Sequence, residues 1–344
     1  MNLKSHIPLE IKMYLKYKLL PNNHTYDSFK GKKKIIITLA ADYQNIGDIA
    51  ITIAQKMWLE DNFPGYEVID FPISETVNSL KALKSVVEKD DIITTIGGGN
   101  ITELYWDIEL CRQLIIKEFP NNKIISFPQS VFLNDEKKFK KTVAVYSKHK
   151  DLTLVAREKI TYDIFKNNFK ENKVLLTPDI VLYLKCERLK YWNKPLKREG
   201  ISVIIRKDSE ALIQKDETNS FINYFKESDA KIYDTIISPE GLKDRDGRDR
   251  ALCTFLEKVA SSEVVVTNRL HAMILSTVTQ TPCIVLPINN HKIIGVLEWL
   301  NDLNYIKYVD SYDLDTINPL IEEFKKITVN KCDLDDKFKV IRDL

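Results

Sequence analysis

Along the chain, short runs of apolar and β-branched residues alternate with longer stretches whose apolar positions recur every three or four residues. The runs fall at 34–39, 66–70, 91–96, 123–127, 152–156 and 174–176. Helical spacing fills the intervals at 48–60, 77–88, 103–118, 136–147 and 158–167. Runs apolar on both sides are strands buried on both faces, and their alternation with helices requires a parallel sheet. The pattern pauses over 187–200 (ERLKYWNKPLKREG), a polar segment with Pro and Gly that reads as a linker. It resumes with strands at 201–205, 231–236, 263–267 and 283–286, and helices at 209–226, 249–261, 269–278 and 292–300. The pattern predicts an α/β protein of two Rossmann-like, doubly wound domains facing a cleft. Their boundaries are 31–186 and 201–310, with a lead-in over 1–30. A tail over 311–344, helical near 320–326 with Pro319 suited to a first helical position, is placed to pack back on the first domain.

In such sheets ligands bind beyond the carboxyl ends of the strands, so the strand–helix loops carry the candidate chemistry. Only ten glycines occur in 344 residues, and three stand together in TTIGGGNITELY as Gly97, Gly98 and Gly99. Asn100 or Thr102 is expected to cap a helix directly after them. That arrangement would offer backbone N–H groups to an anion or a sugar hydroxyl, or simply allow tight strand–helix packing. No Gly-Lys-Ser/Thr follows, so it is not a Walker loop. In AADYQNIGDIAI, the residues Asn45, Gly47 and Asp48 follow the first strand. Asp48 reads either as a helix N-cap or as a carboxylate able to accept a hydroxyl proton.

Other joints repeat the theme. SFPQS sets Gln129 and Ser130 after the fourth strand, VAREKITYD sets Arg157 after the fifth, and TPDIVL sets Asp179 after the sixth. Arg206 ends the first strand of the second half in SVIIRKDSE. In VVVTNRLHAMILSTVTQTPCIVLP, Asn268, Arg269 and His271 interrupt a wholly apolar strand and a helix. Each arginine alone could be a surface ion pair. Together, Arg157, Arg206 and Arg269 at strand carboxyl ends match the forked geometry of carboxylate or phosphate. A buried guanidinium needs a fixed acid or an anionic ligand. Beside it, His271 is either a satisfied structural histidine or a proton donor.

Composition narrows the setting. A length of 344 residues suits two domains, and a net charge of +2 argues against bulk capture of nucleic acid. Cys111, Cys186, Cys253, Cys283 and Cys332 are scattered without CxxC or Cys/His metal spacing, the habit of reduced thiols in a cytoplasmic protein. No stretch approaches the roughly 18 apolar residues of a membrane span. Residues 7–20 (IPLEIKMYLKYKLL), with Lys12, Lys16 and Lys18, form a helix that either packs on its own domain or lies on the inner face of an anionic membrane. Pro21, Asn22 and Asn23 end it.

The succession NIGDIAI, IGGGNITELY, FPQS, VAREKITYD, TPDIVL and VVVTNRLHAMILSTVTQTPCIVLP resembles the polysaccharide pyruvyl transferases, over about 34–300. The resemblance implies a glycosyltransferase-B-like pair of domains. It also implies transfer of pyruvate from phosphoenolpyruvate to two hydroxyls of a sugar, giving a cyclic ketal and phosphate. By motif, Arg157, Arg269 and His271 would hold phosphoenolpyruvate, joined by Asn268 and, on a less distinctive motif, by Arg206. Asn45, Gly47, Asp48, Gly97 to Asn100, Gln129 and Ser130 would face the cleft. On that reading His271 is the general acid and Asp48 the base toward the acceptor. The donor is the substrate phosphoenolpyruvate, and no cofactor or metal is called for. The acceptor is a saccharide, expected to be lipid-linked; oligomeric state is left open.

Two rival readings use the same residues. A nucleotide-sugar glycosyltransferase would turn Arg269 toward a diphosphate. A sugar- or phosphate-binding protein without turnover would not need His271 and Asp48 on opposing domains. The charged cluster KDRDGRDR at 243–250 is a solvated loop or an acceptor contact.

Overall fold

The computed structural model describes residues 7–19, 26–206, 212, 214–242, 244–289, 291–331 and 333–343. The stop at Pro21, Asn22 and Asn23, the start of the helix expected at 209, and Lys243 and Cys332 lie outside the described residues. The chain divides into two compact units. One holds Met1–Asp42, Gln55–Thr177 and Val340–Leu344, and the other Tyr43–Ala54 and Pro178–Lys339.

The first unit contains α1 (Leu9–Leu19), β1 (Lys34–Ala40), the later turns of α2 (Ile46–Asn62), β2 (Glu67–Pro72), α3 (Thr76–Lys84), β3 (Ile92–Thr95), β4 (Gly98–Thr102), α4 (Trp106–Glu118), β5 (Lys123–Phe132), α5 (Glu136–Tyr146), β6 (Leu152–Ala156), α6 (Lys159–Asn168) and β7 (Lys173–Leu176). Its strands run in the order β2-β1-β3-β5-β6-β7, with β4 paired to β5, and every pairing is parallel. All seven positions of β1 are buried, as a strand covered on both faces requires.

Two expectations fail here for one reason. The strand expected to stop at Phe127 runs on to Phe132, because β5 pairs first with β3 and then with β4. Pro128, which has no N–H to give a ladder, lies within the register shift between Ser126 and Gln129, where none is needed. Gly98–Thr102 is therefore a strand, and α4 begins only at Trp106. The three glycines do not open a helix N-terminus, and neither Asn100 nor Thr102 caps one.

The second unit contains the start of α2, then β8 (Ile201–Ile204), α7 (Lys215–Glu227), β9 (Lys231–Tyr233), α8 (Arg245–Ala260), β10 (Val264–Thr267), α9 (Leu270–Val278), β11 (Cys283–Val285), α10 (Lys292–Leu297), β12 (Ile306–Tyr308) and α11 (Leu314–Phe324). A last short helix, α12 (Lys339–Arg342), straddles the boundary between the units. The sheet order is β12-β11-β10-β8-β9, again all parallel. Its core joins Val203 and Ile205 to Val264, Val266, Ile284 and Leu286, and covers them with Phe221, Phe225, Ile317, Ile321 and Phe324. β12 was not expected; it is three residues long, too short for a period to show. Pro319 does not start a helix, because Asp313 caps α11 at Leu314 and accepts from the Asp315 N–H at 3.1 Å. Pro319 sits in the interior instead, and α11 forgoes one hydrogen bond there.

In each sheet the strand order reverses beside the first strand: between β1 and β3 in one, between β8 and β10 in the other. Those are the crevices where doubly wound sheets take ligands. The fold class is α/β with two Rossmann-like domains.

Candidate active site

At the crevice of the second sheet, β10 ends at Thr267 and the next four residues carry its polar content. Asn268 is fully buried and spends its amide on the scaffold. Its Oδ1 accepts from the Arg206 N–H at 2.7 Å, and its Nδ2 donates to Tyr312 Oη at 2.9 Å. Tyr312 in turn donates to the Pro287 carbonyl at 3.1 Å. Burial raises the Tyr312 phenol above its ordinary value, against the Asn268 hydrogen bond and the Arg206 charge, so it stays a donor. This brace fixes the end of β8, and with it the backbone at Arg206, against the end of β10.

Arg269 is extended at the N-cap of α9, its N–H held by Thr267 Oγ1 at 2.9 Å. Its guanidinium meets Asp234 Oδ1 at 2.8 Å, from the turn after β9. His271 follows in the first turn of α9. Its imidazole packs against Gly47: a Cβ there would lie 2.1 Å from Nδ1. Glycine is thus required at position 47 by close approach. On its other side His271 Nε2 lies 3.8 Å from Asp179 Oδ2 and makes no hydrogen bond among the described residues. Asp179 is only 1% exposed and is fixed by accepting from the Val181 N–H at 2.9 Å, which caps a 3-10 turn over Ile180–Tyr183.

The loop before α2 belongs to this unit because it pairs with the segment after β9. Asn45 and Ile236 form an antiparallel bridge, the Ile46 N–H donates to the Thr235 carbonyl at 2.9 Å, and the Ile237 N–H to the Gln44 carbonyl at 2.9 Å. Asn45 Oδ1 accepts from the Gly47 N–H at 2.9 Å. It therefore does the capping expected of Asp48, which stands half-buried inside the first turn, where a carboxylate suits the helix dipole. Asp48 and His271 fall in one unit and do not oppose each other from separate bodies.

At the crevice of the first sheet, Leu39 takes φ 61 where β1 shifts register, a left-handed backbone that costs a non-glycine residue about 1–3 kcal/mol. Gly98, with φ 113, pairs with Gln129 across the sheet. Gln129 donates through Nε2 to the Ile96 carbonyl, and its own carbonyl receives the Arg157 N–H at 3.0 Å. Arg157 is buried and donates from Nε to Ser130 Oγ at 2.8 Å. Next to it, Glu158 caps α6 by accepting from the Thr161 N–H at 2.7 Å. The first unit thus brings Gly98, Gln129, Ser130 and Arg157 together along β4, β5 and β6. Asn100 goes elsewhere, accepting from the buried Arg112.

The match over residues 45–290 is to the family model for polysaccharide pyruvyl transferase. The chain belongs to the polysaccharide pyruvyl transferase family. It is 33% identical to general stress protein 30 of Bacillus subtilis (strain 168), over 94% of this chain and 95% of that one. It is 32% identical to pyruvyl transferase 1 of Schizosaccharomyces pombe (strain 972 / ATCC 24843), over 75% of this chain and 67% of that one. Among solved structures it is similar to KP1_0663, a functionally uncharacterized protein of Klebsiella pneumoniae subsp. pneumoniae NTUH-K2044. There the identity is 19%, the coverage 87% of this chain and 98% of that one, and the TM-score 0.56. The fold is shared. The activity is that of a pyruvyl transferase acting on a polysaccharide.

For a pyruvyl transferase, two acids carry more of the site than the sequence revealed. Asp179 was visible at a strand end but had no role until His271 stood beside it. Asp234 lay inside a run expected to continue as strand to Ile236, whereas β9 stops at Tyr233. The four described cysteines are free and buried; burial pushes the thiols of Cys111, Cys186 and Cys283 up to about 12 and that of Cys253 up to about 11, so none is a nucleophile at neutral pH. Among the described residues no group of three or more His, Cys, Asp or Glu side chains could hold a metal ion. No helix among them is long and apolar enough to cross a membrane.

Proposed function

We propose that the donor is phosphoenolpyruvate and the product a cyclic pyruvate ketal on a sugar of a surface-polysaccharide precursor. The observation that carries this reading is the Arg269–His271 joint, with a fork-shaped cation and an imidazole two residues apart at a strand end. Phosphoenolpyruvate carries a carboxylate and a phosphate, which planar guanidinium groups match best. Arg269, with Arg206 beside it, takes these charges, and Asp234 holds Arg269 in place until they arrive. Arg157 is proposed as a further anion ligand on the strength of its motif.

The reaction needs a proton on the methylene carbon, which leaves C2 electrophilic. His271 supplies that proton as general acid. A sugar hydroxyl adds to C2 and gives up its proton to Asp48. The C2–O bond to phosphate then breaks, and the second hydroxyl closes the ring. The two hydroxyl protons balance the one gained by the methylene carbon and the one leaving with phosphate. Asp179 acts through His271 as a positioning residue: when the ring is protonated the two form an ion pair, which fixes its orientation. The acceptor is proposed to be lipid-linked, with the enzyme peripheral to the membrane that carries it.

The test is turnover. Phosphoenolpyruvate and a capsular or exopolysaccharide oligosaccharide should give acceptor-dependent phosphate release and a ketal methyl signal in the product. Release of a nucleoside diphosphate from a nucleotide sugar, with no phosphate from phosphoenolpyruvate, would overturn the reading.

A further inference from the structure

Helix α1 presents apolar residues on two sides. Toward its own unit it turns Tyr17, the one buried residue of the helix, and the half-buried Met13, whose sulfur approaches Cys111 Sγ at 3.7 Å. Ile11, Leu15 and Leu19 follow one another at intervals of four, and at about 100° per residue they fall on the side away from Met13 and Tyr17. They are 49%, 43% and 77% exposed. Lys12 and Lys16 flank this stripe on one edge and Lys18 on the other, all three exposed.

Beside α1 the surface stays basic. A cavity of about 300 Å³ is lined by Ile11, Tyr14, Leu110, Leu114, Lys117 and Lys141, among others. A second, of about 370 Å³, shares Lys117 and Lys141 and adds Lys148, over a floor that includes Ile116, Pro120 and Val145. Partial burial, and then the neighbouring charges of Lys141 and Lys148, draw the Lys117 ammonium below its ordinary value against the opposing charge of Glu10. Glu10 is engaged with Lys141, and Glu118 with Lys84. Glu10 and Glu118 also line the first cavity, whereas the second has Lys117, Lys141 and Lys148 and no acid among its lining residues.

We infer that the Ile11–Leu15–Leu19 stripe and the Lys117–Lys141–Lys148 hollow together form a docking face for an anionic phospholipid bilayer. The stripe enters the boundary between headgroups and acyl chains, the flanking lysines meet the headgroup phosphates, and the hollow seats one headgroup. Charge complementarity selects this occupant over a second copy of the chain, whose identical lysines would repel across a two-fold contact. The inference deepens the peripheral attachment proposed above, but it does not require phosphoenolpyruvate to be the donor.

The experiment is vesicle flotation of the full chain with phosphatidylcholine alone and with added phosphatidylglycerol, at low and high salt. The wild type should float with the anionic vesicles, stay down with the neutral ones, and be released by salt. Leu15→Glu with Leu19→Glu should abolish flotation. Lys117→Glu with Lys148→Glu should weaken it roughly tenfold or more, each basic residue near an anionic surface contributing about 1 kcal/mol. All these positions are exposed, so both variants should keep the wild-type melting temperature and affinity for phosphoenolpyruvate. Equal flotation with both vesicle types, or flotation unchanged in the Leu15/Leu19 variant, would overturn the inference. A concentration-dependent dimer lost in that variant, without vesicle binding, would overturn it in favour of a self-contact. Vesicle binding without phosphoenolpyruvate binding would leave this face standing and sink the donor assignment alone.

Discussion

Two charged clusters in this chain, one in each unit, differ in how their partners satisfy them. In the first unit Glu109 is fully buried and saturated. It accepts from Arg112 at 2.6 Å, from Gln113 at 3.1 Å, from Thr142 at 3.3 Å, and from Tyr146 at 2.9 and 3.0 Å. Arg112 also reaches Asn100, leaving only its Nε without a hydrogen bond among the described residues. Burial works against the Arg112 charge, but Tyr146 and Glu109 outweigh it and hold the guanidinium above its ordinary value. Burial, followed by the Glu109 charge, pushes the Tyr146 phenol well above its own. That cluster is closed. In the second unit His271 stops 3.8 Å short of Asp179, and Arg269 meets an Asp234 that stays 39% exposed. That cluster is open. A closed network stabilises the fold; on the proposed reading the second cluster serves a ligand instead.

If the distinction is right, substitutions should separate cleanly into activity and stability. The largest effect belongs to His271. His271→Gln should lower the turnover number by about 10²–10⁴-fold, the usual share of a general acid, with the melting temperature unchanged. Normal turnover in that variant would remove His271 from the chemistry. Next comes Glu109→Gln, which leaves a buried guanidinium without its counter-charge and should cost about 3–5 kcal/mol of stability. Chemical denaturation measures it, and the protein that remains folded should bind phosphoenolpyruvate as the wild type does. A stable Glu109→Gln variant with weakened donor binding would reverse the roles of the two clusters.

Gly47→Ala sharpens the comparison at closer range. The added methyl must displace the His271 ring, and a misplacement near 1 Å should cost about 10²-fold in turnover. Donor affinity should change far less, because the methyl meets the His271 ring first and Arg269 is held through Asp234. The smallest effect is that of Tyr312→Phe, which removes one acceptor from the buried Asn268 and should cost about 1–3 kcal/mol of stability with little change in turnover. A turnover loss matching that of His271→Gln would make the brace part of the chemistry.

Much of this was legible in the chain. Buried parallel strands announce themselves as apolar runs, so β1, β6 and β10 fell within a residue or so of their expected bounds. Arg269 and His271 stood out because no other Asp, Glu, Lys, Arg or His lies between Val264 and Pro287. What stayed hidden depends on pairing over long separations. Pro128 reads as a strand stop unless β4 is known to lie alongside β5. The tie between 44–46 and 235–237, which carries Asp48 into the second unit, is nearly 200 residues long. Asp179 and Asp234 were ordinary acids until the fold set His271 beside the one and Arg269 beside the other. Asn100 and Asn268 show the converse, since both looked available for a ligand and both are spent on the scaffold.

The most direct measurement is a calorimetric titration of phosphoenolpyruvate into wild type and Arg269→Ala, with a panel of nucleotide sugars alongside. The account predicts saturable binding of phosphoenolpyruvate to the wild type. In the variant that binding should weaken by about 1.5–3 kcal/mol, the worth of hydrogen bonds to a charged group, and no nucleotide sugar should bind to either protein. Unchanged phosphoenolpyruvate affinity in Arg269→Ala, or tight binding of a nucleotide sugar in place of phosphoenolpyruvate, would contradict it.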